Sequence, residues 1–444
     1  MPGRPRLDPQ ALCEARPPEV RNAPLWVAYS GGADSTALLH ALVAAGLTPR
    51  AVHVHHGLQP AADDWATHCA AVCRSLGVTL TVRRVVVDAA HPQGPEAAAR
   101  AARYAAFDAV LEDGACLALA HHADDQAETV LWRILRGTGI EGLAGISALR
   151  RQAHYWLWRP LLALPRSALR DYLAQHRLEA VEDPHNDDRR YARVWLRREV
   201  LPLIAQRLDG AAALRRLADH AAASTAVLRE LAAADLAAAG GAAVGGQPSV
   251  SRLLQLSPAR RDNALRHWLA SALGQAPDAD VLRRIVDEVM AVRADAAPCL
   301  TLGGHELRRY RDHLWLMPAL PAPPQAAEVV WSQGCRLALP AGCGTLVAPA
   351  PPPESVRVRF GVPGAGLRPR LEGPTRRLRN LFQEHGLPPW RRLRTPLLWH
   401  GGRLGWVPEL DLVDAGVAGL DWRPRWIADD GGPGRGVASP APDA

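Results

Sequence analysis

A chain that runs from Leu25-Trp-Val-Ala-Tyr-Ser30 through Gly31-Gly-Ala-Asp-Ser35 into a helical stretch from Asp34 to about Ala45 has few folds open to it. The short apolar run reads as a buried strand, and the two glycines let the backbone turn sharply into the helix. The alternation then continues. Ala51-Val-His-Val-His-His56 reads as a second buried strand, with a helix from about Asp63 to Leu76 after it. Val78 to Val87 reads as a third strand, Glu96 to Leu111 as a helix, Cys116-Leu-Ala-Leu-Ala-His121 as a fourth strand and Asp124 to Arg136 as a helix. Strands alternating with helices of about 10–15 residues predict βαβ units and a doubly wound parallel sheet, so the fold class is α/β.

Beyond that domain the pattern changes. Residues 1–22, rich in proline and arginine, read as a loose lead-in, and the α/β domain is expected over 23–205. Residues 208–317 are alanine- and leucine-rich with helical spacing and predict a mainly helical middle domain, broken by the glycines around 240–246. The first strand signal there is Cys299-Leu-Thr-Leu. A proline-rich linker is expected at 318–327. Short strands, Gly/Pro turns and one arginine-rich helical segment, Arg376 to Glu384, predict a small α+β C-terminal domain at 328–427. The tail at 428–444 reads as disordered.

Every one of the 52 basic residues is arginine; the chain contains no lysine. A Walker A loop, a protein kinase site, Schiff-base chemistry and pyridoxal phosphate enzymes all need a lysine and are excluded. Nucleotide chemistry has to rest on backbone amides, a helix dipole, metal and arginine. The loop Ser30, Gly31, Gly32, Ala33, Asp34, Ser35 supplies that kind of site at the carboxyl end of the first strand, where open α/β sheets bind ligands. Asp34 opposes a phosphate unless it holds a cation, which implies Mg²⁺.

A second constellation, His121-His-Ala-Asp-Asp-Gln-Ala-Glu-Thr129, leaves the fourth strand and enters a helix. Asp125 and Glu128 are three apart and share a helix face. Both charges are expected at the same sheet edge as the phosphate loop. A zinc site is the rival reading, but the spacing fits no H-E-x-x-H helix. His53, His55 and His56 read as strand-end residues lining a nucleotide pocket rather than as metal ligands. The seven cysteines form no C-x-x-C pair and read as reduced thiols, with Cys69 and Cys73 buried. No apolar run is long enough to span a membrane, and prolines stand where a signal peptide has its apolar core, so a cytoplasmic location is expected. The net charge of +7, carried by arginine, suits a polyanionic partner.

The strand–SGGxDS–helix unit is the signature of the PP-loop ATP pyrophosphatases. With the second constellation, the chain resembles the tRNA(Ile)-lysidine synthetase family in particular. Further matching segments are Glu96 to Phe107, Arg133 to Ile146, Trp158-Arg-Pro-Leu-Leu162, Glu182 to Asp187, and Arg379 to Arg391 with Pro396-Leu-Leu. The resemblance implies cleavage of ATP between its α- and β-phosphates. The acceptor is the C2 oxygen of the wobble cytidine in isoleucine tRNA with a CAU anticodon, and free L-lysine then displaces AMP. It implies that Ser30 to Ser35 cradle ATP, with Asp34 a metal or catalytic group. Asp125 and Glu128 would handle lysine and cytidine, and Arg100 or Arg103 would meet the cytidine. Free lysine has a pKa of ~10.4, so presenting a neutral amine at pH 7 is on the order of 4–5 kcal/mol uphill. A carboxylate pair can bind the ammonium and accept its proton.

The stretch Tyr191 to Arg197 departs from the family pattern, with Val194 where asparagine is usual, and leaves Arg193 and Arg197 as candidate tRNA contacts. Arg376, Arg377 and Arg379, with Trp390, Arg391, Arg392 and Arg394, form a second candidate tRNA patch. The alternatives are a thiolase-type PP-loop enzyme and a non-catalytic tRNA-binding protein. A thiolase needs a cysteine pair or cluster motif that this chain lacks. A binding protein has no use for an intact Ser30–Ser35 loop beside Asp125 and Glu128.

Overall fold

The computed structural model describes residues 5–57, 61–88, 94–181, 192–241, 246–293, 296–324, 328–340, 342–362, 364–417 and 422–428. The chain divides into two compact units, residues 1–227 and 228–444. The expected Glu182 to Asp187 match and almost all of the expected disordered tail lie outside the described residues.

In the first unit the order is α1 (Pro9–Glu14), β1 (Leu25–Ala28), α2 (Ala33–Ala44), β2 (Arg50–His55), α3 (Ala62–Ser75), β3 (Leu80–Arg84), α4 (Pro95–Asp108), β4 (Cys116–Ala118), α5 (Ala123–Leu135), α6 (Ile140–Leu143), β5 (Leu149–Gln152), β6 (Tyr155–Trp158), α7 (Arg166–His176) and α8 (Ala192–Trp195). The six strands form one sheet in the order β3-β2-β1-β4-β6-β5. β1 pairs in parallel with β2 on one side and β4 on the other, with Val27 opposite Ala51 and Ala118. The point where strand order reverses therefore lies between β1 and β4, where such sheets bind ligands.

The expected doubly wound parallel sheet is present over β3-β2-β1-β4-β6, and it gains one antiparallel edge strand, β5, paired with β6 across a two-residue turn at Ala153 and His154. Leu149-Arg-Arg-Gln152 is polar at three of four positions, so an edge strand there gave no apolar signal. The lead-in is not loose from Leu7 onward: Leu7, Leu12 and Val20 are buried in the main core with Leu38 and Leu42. Pro9 opens α1, where a missing N–H costs nothing, and the Asp8 side chain accepts from Gln10 N at 3.0 Å. Three spaced apolar residues among the prolines hold the segment down, at roughly 1.5–3 kcal/mol per buried side chain.

The helices continue through α9 (Leu201–Ala205) to α10 (Gly210–Ala238), which ends where the glycine break was expected. In the second unit α11 (Val250–Gln255), α12 (Pro258–Leu273) and α13 (Ala279–Arg284) precede an antiparallel meander of β7 (Cys299–Leu302), β8 (His305–Tyr310) and β9 (His313–Pro318). Leu265, Ile285, Leu307 and Leu314 belong to one core, so this meander packs with the helices. The rest comprises β10 (Glu328–Trp331), β11 (Arg336–Ala338), β12 (Thr345–Val347), β13 (Val356–Arg359), β14 (Gly366–Leu367), β15 (Arg376–Arg377), α14 (Leu378–Glu384), α15 (Pro389–Arg392), β16 (Leu397–His400), β17 (Arg403–Val407), β18 (Leu412–Val413) and β19 (Arg425–Ile427). Its main sheet runs β10-β13-β16-β17-β18 and is antiparallel. Among the described residues no helix is long and apolar enough to cross a membrane.

Candidate active site

The loop between β1 and α2 is shaped by its own hydroxyls and by one glycine. Gly31 has φ +84°, and a Cβ there would sit 2.9 Å from the Cys69 sulfur, so any side chain is opposed by backbone and by packing. The Gly31 carbonyl accepts from Val181 N at 2.9 Å. Ser30 Oγ and Ser35 Oγ lie 3.0 Å apart, and Ser35 Oγ donates to Gly32 O at 3.0 Å. Gly32 caps α2 without a side-chain acceptor, leaving the first-turn amides available to an anion. Cys69 and Cys73 are buried as expected, and burial raises their thiols to about 12 and about 11, so neither is a nucleophile.

The second motif follows β4, the neighbour of β1, and comes back to the same edge. At its centre is His122, a buried imidazole weighed from its motif only as a zinc ligand. Its Nε2 is 3.5 Å from Asp34 Oδ2 and 3.5 Å from Asp125 Oδ2, and its Nδ1 is 3.5 Å from Asp124 Oδ2. Burial alone would lower its pKa. The carboxylates of Asp124 and Asp34, each 3.5 Å from a ring nitrogen, with the charge of Asp125, outweigh burial and raise it to about 10. His122 is thus an imidazolium that ties the phosphate-loop carboxylate to the two at the head of α5. Asp34 also feels burial first, which would raise its pKa. The hydrogen bond and charge of His122, then Arg166 and Arg197, leave it below the ordinary carboxylate range.

The raised folded pKa has a sign. The stabilisation from His122 is fully present below the unfolded value near 6.5, declines as pH rises, and is gone above about 10. The difference in melting temperature between wild type and His122→Gln is therefore expected to shrink steadily from pH 6 to pH 10. A difference that stays constant over that range would show that the imidazole is neutral in the folded protein.

Asp125 accepts from His122 N at 3.0 Å, closing a cap on α5. Glu128, one turn on, is fully buried. Arg197 holds it in a two-pronged grip through Nε and Nη2, the latter at 2.9 Å, and Arg193 Nε lies 3.9 Å from it. Arg197 Nη2 also reaches Asp125 Oδ1 at 3.5 Å. Arg193 and Arg197, the candidate tRNA contacts, therefore lie beside the carboxylates of α5, both half-buried, with Arg193 also donating to Thr129 Oγ1 at 3.4 Å. A fully buried carboxylate needs paired cations, and the nearest are these two arginines.

Arg100 and Arg103 are both exposed on α4. The Arg100 guanidinium lies 5.0 Å over the Tyr104 ring, and its charge reaches His121. Arg103 sits instead on the side of His56, whose pKa falls to about 4 through burial first and the Arg103 charge second. His121 also falls to about 4, mainly by burial, and its Nδ1 accepts from Arg159 Nε at 3.3 Å. Arg159 is buried and belongs to the Trp158-Arg-Pro segment, whose matching sequence was the only signal for it. Of the strand-end histidines, His53 is bound to Tyr29 O at 2.9 Å and His55 to Asp63 at 3.2 Å. His56 Nδ1 is buried with no partner among the described residues.

The C-terminal candidates divide. Arg377 and Arg379 are exposed, and Arg376 is half-buried and ion-paired with Glu384. Trp390 and Arg391 are buried, which corrects their assignment to a phosphate-tracking patch. Arg391 pairs with Glu409 at 3.2 Å, and Arg394, also buried, donates to Trp390 O and Pro321 O. α15 turns these side chains inward because Trp390 anchors it. Arg391→Ala is expected to lower stability by about 3–5 kcal/mol by removing one half of its buried ion pair with Glu409. A thermal melt checks this, and an unchanged melt combined with weaker RNA binding would return Arg391 to the surface.

The sequence matches the PP-loop domain family over residues 10–204, the TilS substrate binding domain over 249–315 and the TilS substrate C-terminal domain over 356–426. It is 41% identical over 406 residues to the tRNA(Ile)-lysidine synthase of Shigella flexneri, covering 88% of this chain and 93% of that protein. It is 42% identical over 426 residues to the tRNA(Ile)-lysidine synthase of Alkalilimnicola ehrlichii, covering 92% and 94%. With all three domains matched in order and the similarity running along nearly the whole chain, the protein belongs to the tRNA(Ile)-lysidine synthase family.

Proposed function

We propose that the protein is an ATP-dependent ligase that joins free L-lysine to C2 of the wobble cytidine in isoleucine tRNA with a CAU anticodon, in the cytoplasm. The observation that carries this reading is the meeting of the Ser30–Ser35 loop and the Asp125–Glu128 helix at the ends of adjacent strands β1 and β4. One centre can then serve both halves of the reaction. In the first, the cytidine O2 attacks the α-phosphorus of ATP and diphosphate leaves. In the second, the lysine amine attacks C2, the C2–O2 bond breaks, and AMP departs with that oxygen.

Ser30, Gly31, Gly32, Ala33 and Ser35 supply hydroxyls and first-turn amides to the phosphates, as a helix N-terminus does for any anion. Asp34 Oδ1 is buried with no hydrogen-bond partner among the described residues, which fits a carboxylate reserved for a cation. Asp34 would hold Mg²⁺ there, and the ion would neutralise phosphate charge. Asp125 receives the lysine ammonium and takes its proton as the amine attacks. Glu128 fixes Arg197 beneath it. Arg100, on the His121 and Asp125 side of α4, meets the cytidine, and Arg103 faces the nucleotide beside His56. Arg377 and Arg379 track the tRNA backbone.

The test is a reaction with ATP, labelled lysine and unmodified isoleucine tRNA(CAU), with methionine tRNA of the same anticodon as control. Lysine is expected in the isoleucine tRNA alone, with one AMP formed per lysine. Incorporation into neither tRNA would overturn the proposal.

A further inference from the structure

A cavity of about 350 Å³ opens within the second unit between the β8–β9 hairpin and the C-terminal end of α14, lined by Tyr310, Arg311, His313, Trp315, Glu384 and His385. We propose that it receives a single unpaired nucleotide of the bound RNA, with the base on the rings of Tyr310 and Trp315 and the phosphate on Arg311. This rests on the tRNA reading above and adds a subsite to it. Rings that offer a face to any base, next to a guanidinium, are the means by which proteins hold single-stranded RNA. At the small end of the ~300–1,000 Å³ range of ligand pockets, the cavity suits one nucleotide and excludes a duplex.

Three features show that the cavity is built. Arg311 occupies the first position of the two-residue turn between Tyr310 and His313, at φ +54°, where glycine or asparagine is usual. Its guanidinium is held 5.4 Å over the Tyr310 ring and donates from Nη2 to Gln383 O at 2.6 Å. Gly386, at φ +71°, faces it, and a Cβ there would come 3.3 Å from Arg311 Nη1. The other turn residue, Asp312, is tied down by the hydroxyls of Ser249 and Ser251. A strained arginine fixed from several sides points to a use for its charge.

The rings are also set in advance. Trp315 and Tyr310 each meet the buried Trp390 edge-on, with centroids 5.8 Å and 6.1 Å away. Little freedom is then lost when a base stacks on them. Glu384 at the rim, with one oxygen on Arg376, can accept from an exocyclic amine with the other. Finally, the exposed Arg377 and Arg379 stand at the other end of α14, about 10 Å away for seven residues. A strand whose phosphates follow those arginines is led to the cavity mouth.

The experiment uses the full chain and unmodified isoleucine tRNA(CAU). Arg311→Gly removes the guanidinium while suiting the positive φ, so the turn is retained, and Trp315→Leu removes a ring. Each is expected to weaken tRNA binding about tenfold at fixed salt with the melting temperature of Arg311→Gly kept. Ultraviolet irradiation of the wild-type complex is expected to cross-link RNA to a peptide containing 310–315. Wild-type affinity in Arg311→Gly together with no cross-link to 310–315 or 384–386 would overturn the proposal. Lysine incorporation by the wild type is measured alongside. Cross-linking without incorporation would sink the ligase reading and leave the subsite, whereas incorporation without cross-linking or affinity loss would remove the subsite alone.

Discussion

Asp34→Asn is expected to lower ATP–pyrophosphate exchange and lysine incorporation together, by about 10²–10³-fold, the scale of removing one preorganised electrostatic contact at a reacting phosphate. Asparagine keeps the shape of the side chain and a carbonyl oxygen in place of Oδ1, so folding is spared. What it loses is the charge. Asp34 is held ionised against its own burial by His122, Arg166 and Arg197, and its Oδ1 has no partner among the described residues. A carboxylate kept charged and unsatisfied beside a phosphate loop is suited to a cation. The same variant should therefore need a higher Mg²⁺ concentration for half-maximal exchange, read by titrating the metal at fixed ATP. Exchange at wild-type rate and metal dependence, with lysine incorporation lost, would move Asp34 out of the nucleotide half and into the lysine half. His122 retains Asp124 and Asp125 in this variant, so the α5 cluster stays cationic at its centre and the two halves can be read separately.

How far the sequence reaches depends on whether a residue acts by its type or by its partner. Gly31 was legible because only glycine tolerates its backbone and the nearby Cys69, and the strand–loop–helix pattern placed it. Asp125 and Glu128 were legible as a helical pair. Their different situations were not, since one faces the cluster and the other is sealed under Arg197, which lies 69 residues away in sequence. Long-range pairing of this kind leaves no local periodicity. The same reason hid His122 as the hub, because a histidine beside carboxylates reads alike whether it binds zinc or carries a proton. Arginine clusters misled most. Arg391 and Arg394 share composition with Arg377 and Arg379, yet a buried Trp390 turns the first pair inward. The edge strand β5 and the ordered segment from Leu7 escaped because their few apolar residues are spaced among polar ones.

Asp125→Asn is the sharper test of the second half-reaction. It is expected to reduce lysine incorporation by about 10²–10⁴-fold, the usual worth of a positioned proton acceptor, while pyrophosphate exchange stays within about threefold of wild type. The amide still offers an oxygen to His122 N, so the cap on α5 survives and the loss belongs to the proton and to the ammonium site. Adenylated tRNA should accumulate and be trapped by added hydroxylamine. Glu128→Gln, three residues away, is expected to behave differently. It breaks a fully buried carboxylate's grip on Arg197 and leaves two guanidiniums facing an amide. A stability loss of about 3 kcal/mol, seen as a lower melting temperature, should accompany its loss of incorporation. Pyrophosphate exchange and incorporation falling equally in Asp125→Asn would place that carboxylate in adenylation instead. Equal melting temperatures for Glu128→Gln and wild type would mean that Glu128 is released from Arg197 in solution and free to share the lysine. The two substitutions remove the same single charge from neighbouring carboxylates, so the extra loss of melting temperature in Glu128→Gln reports the buried Glu128–Arg197 pair, whereas the loss of incorporation at a kept melting temperature in Asp125→Asn reports the proton acceptor.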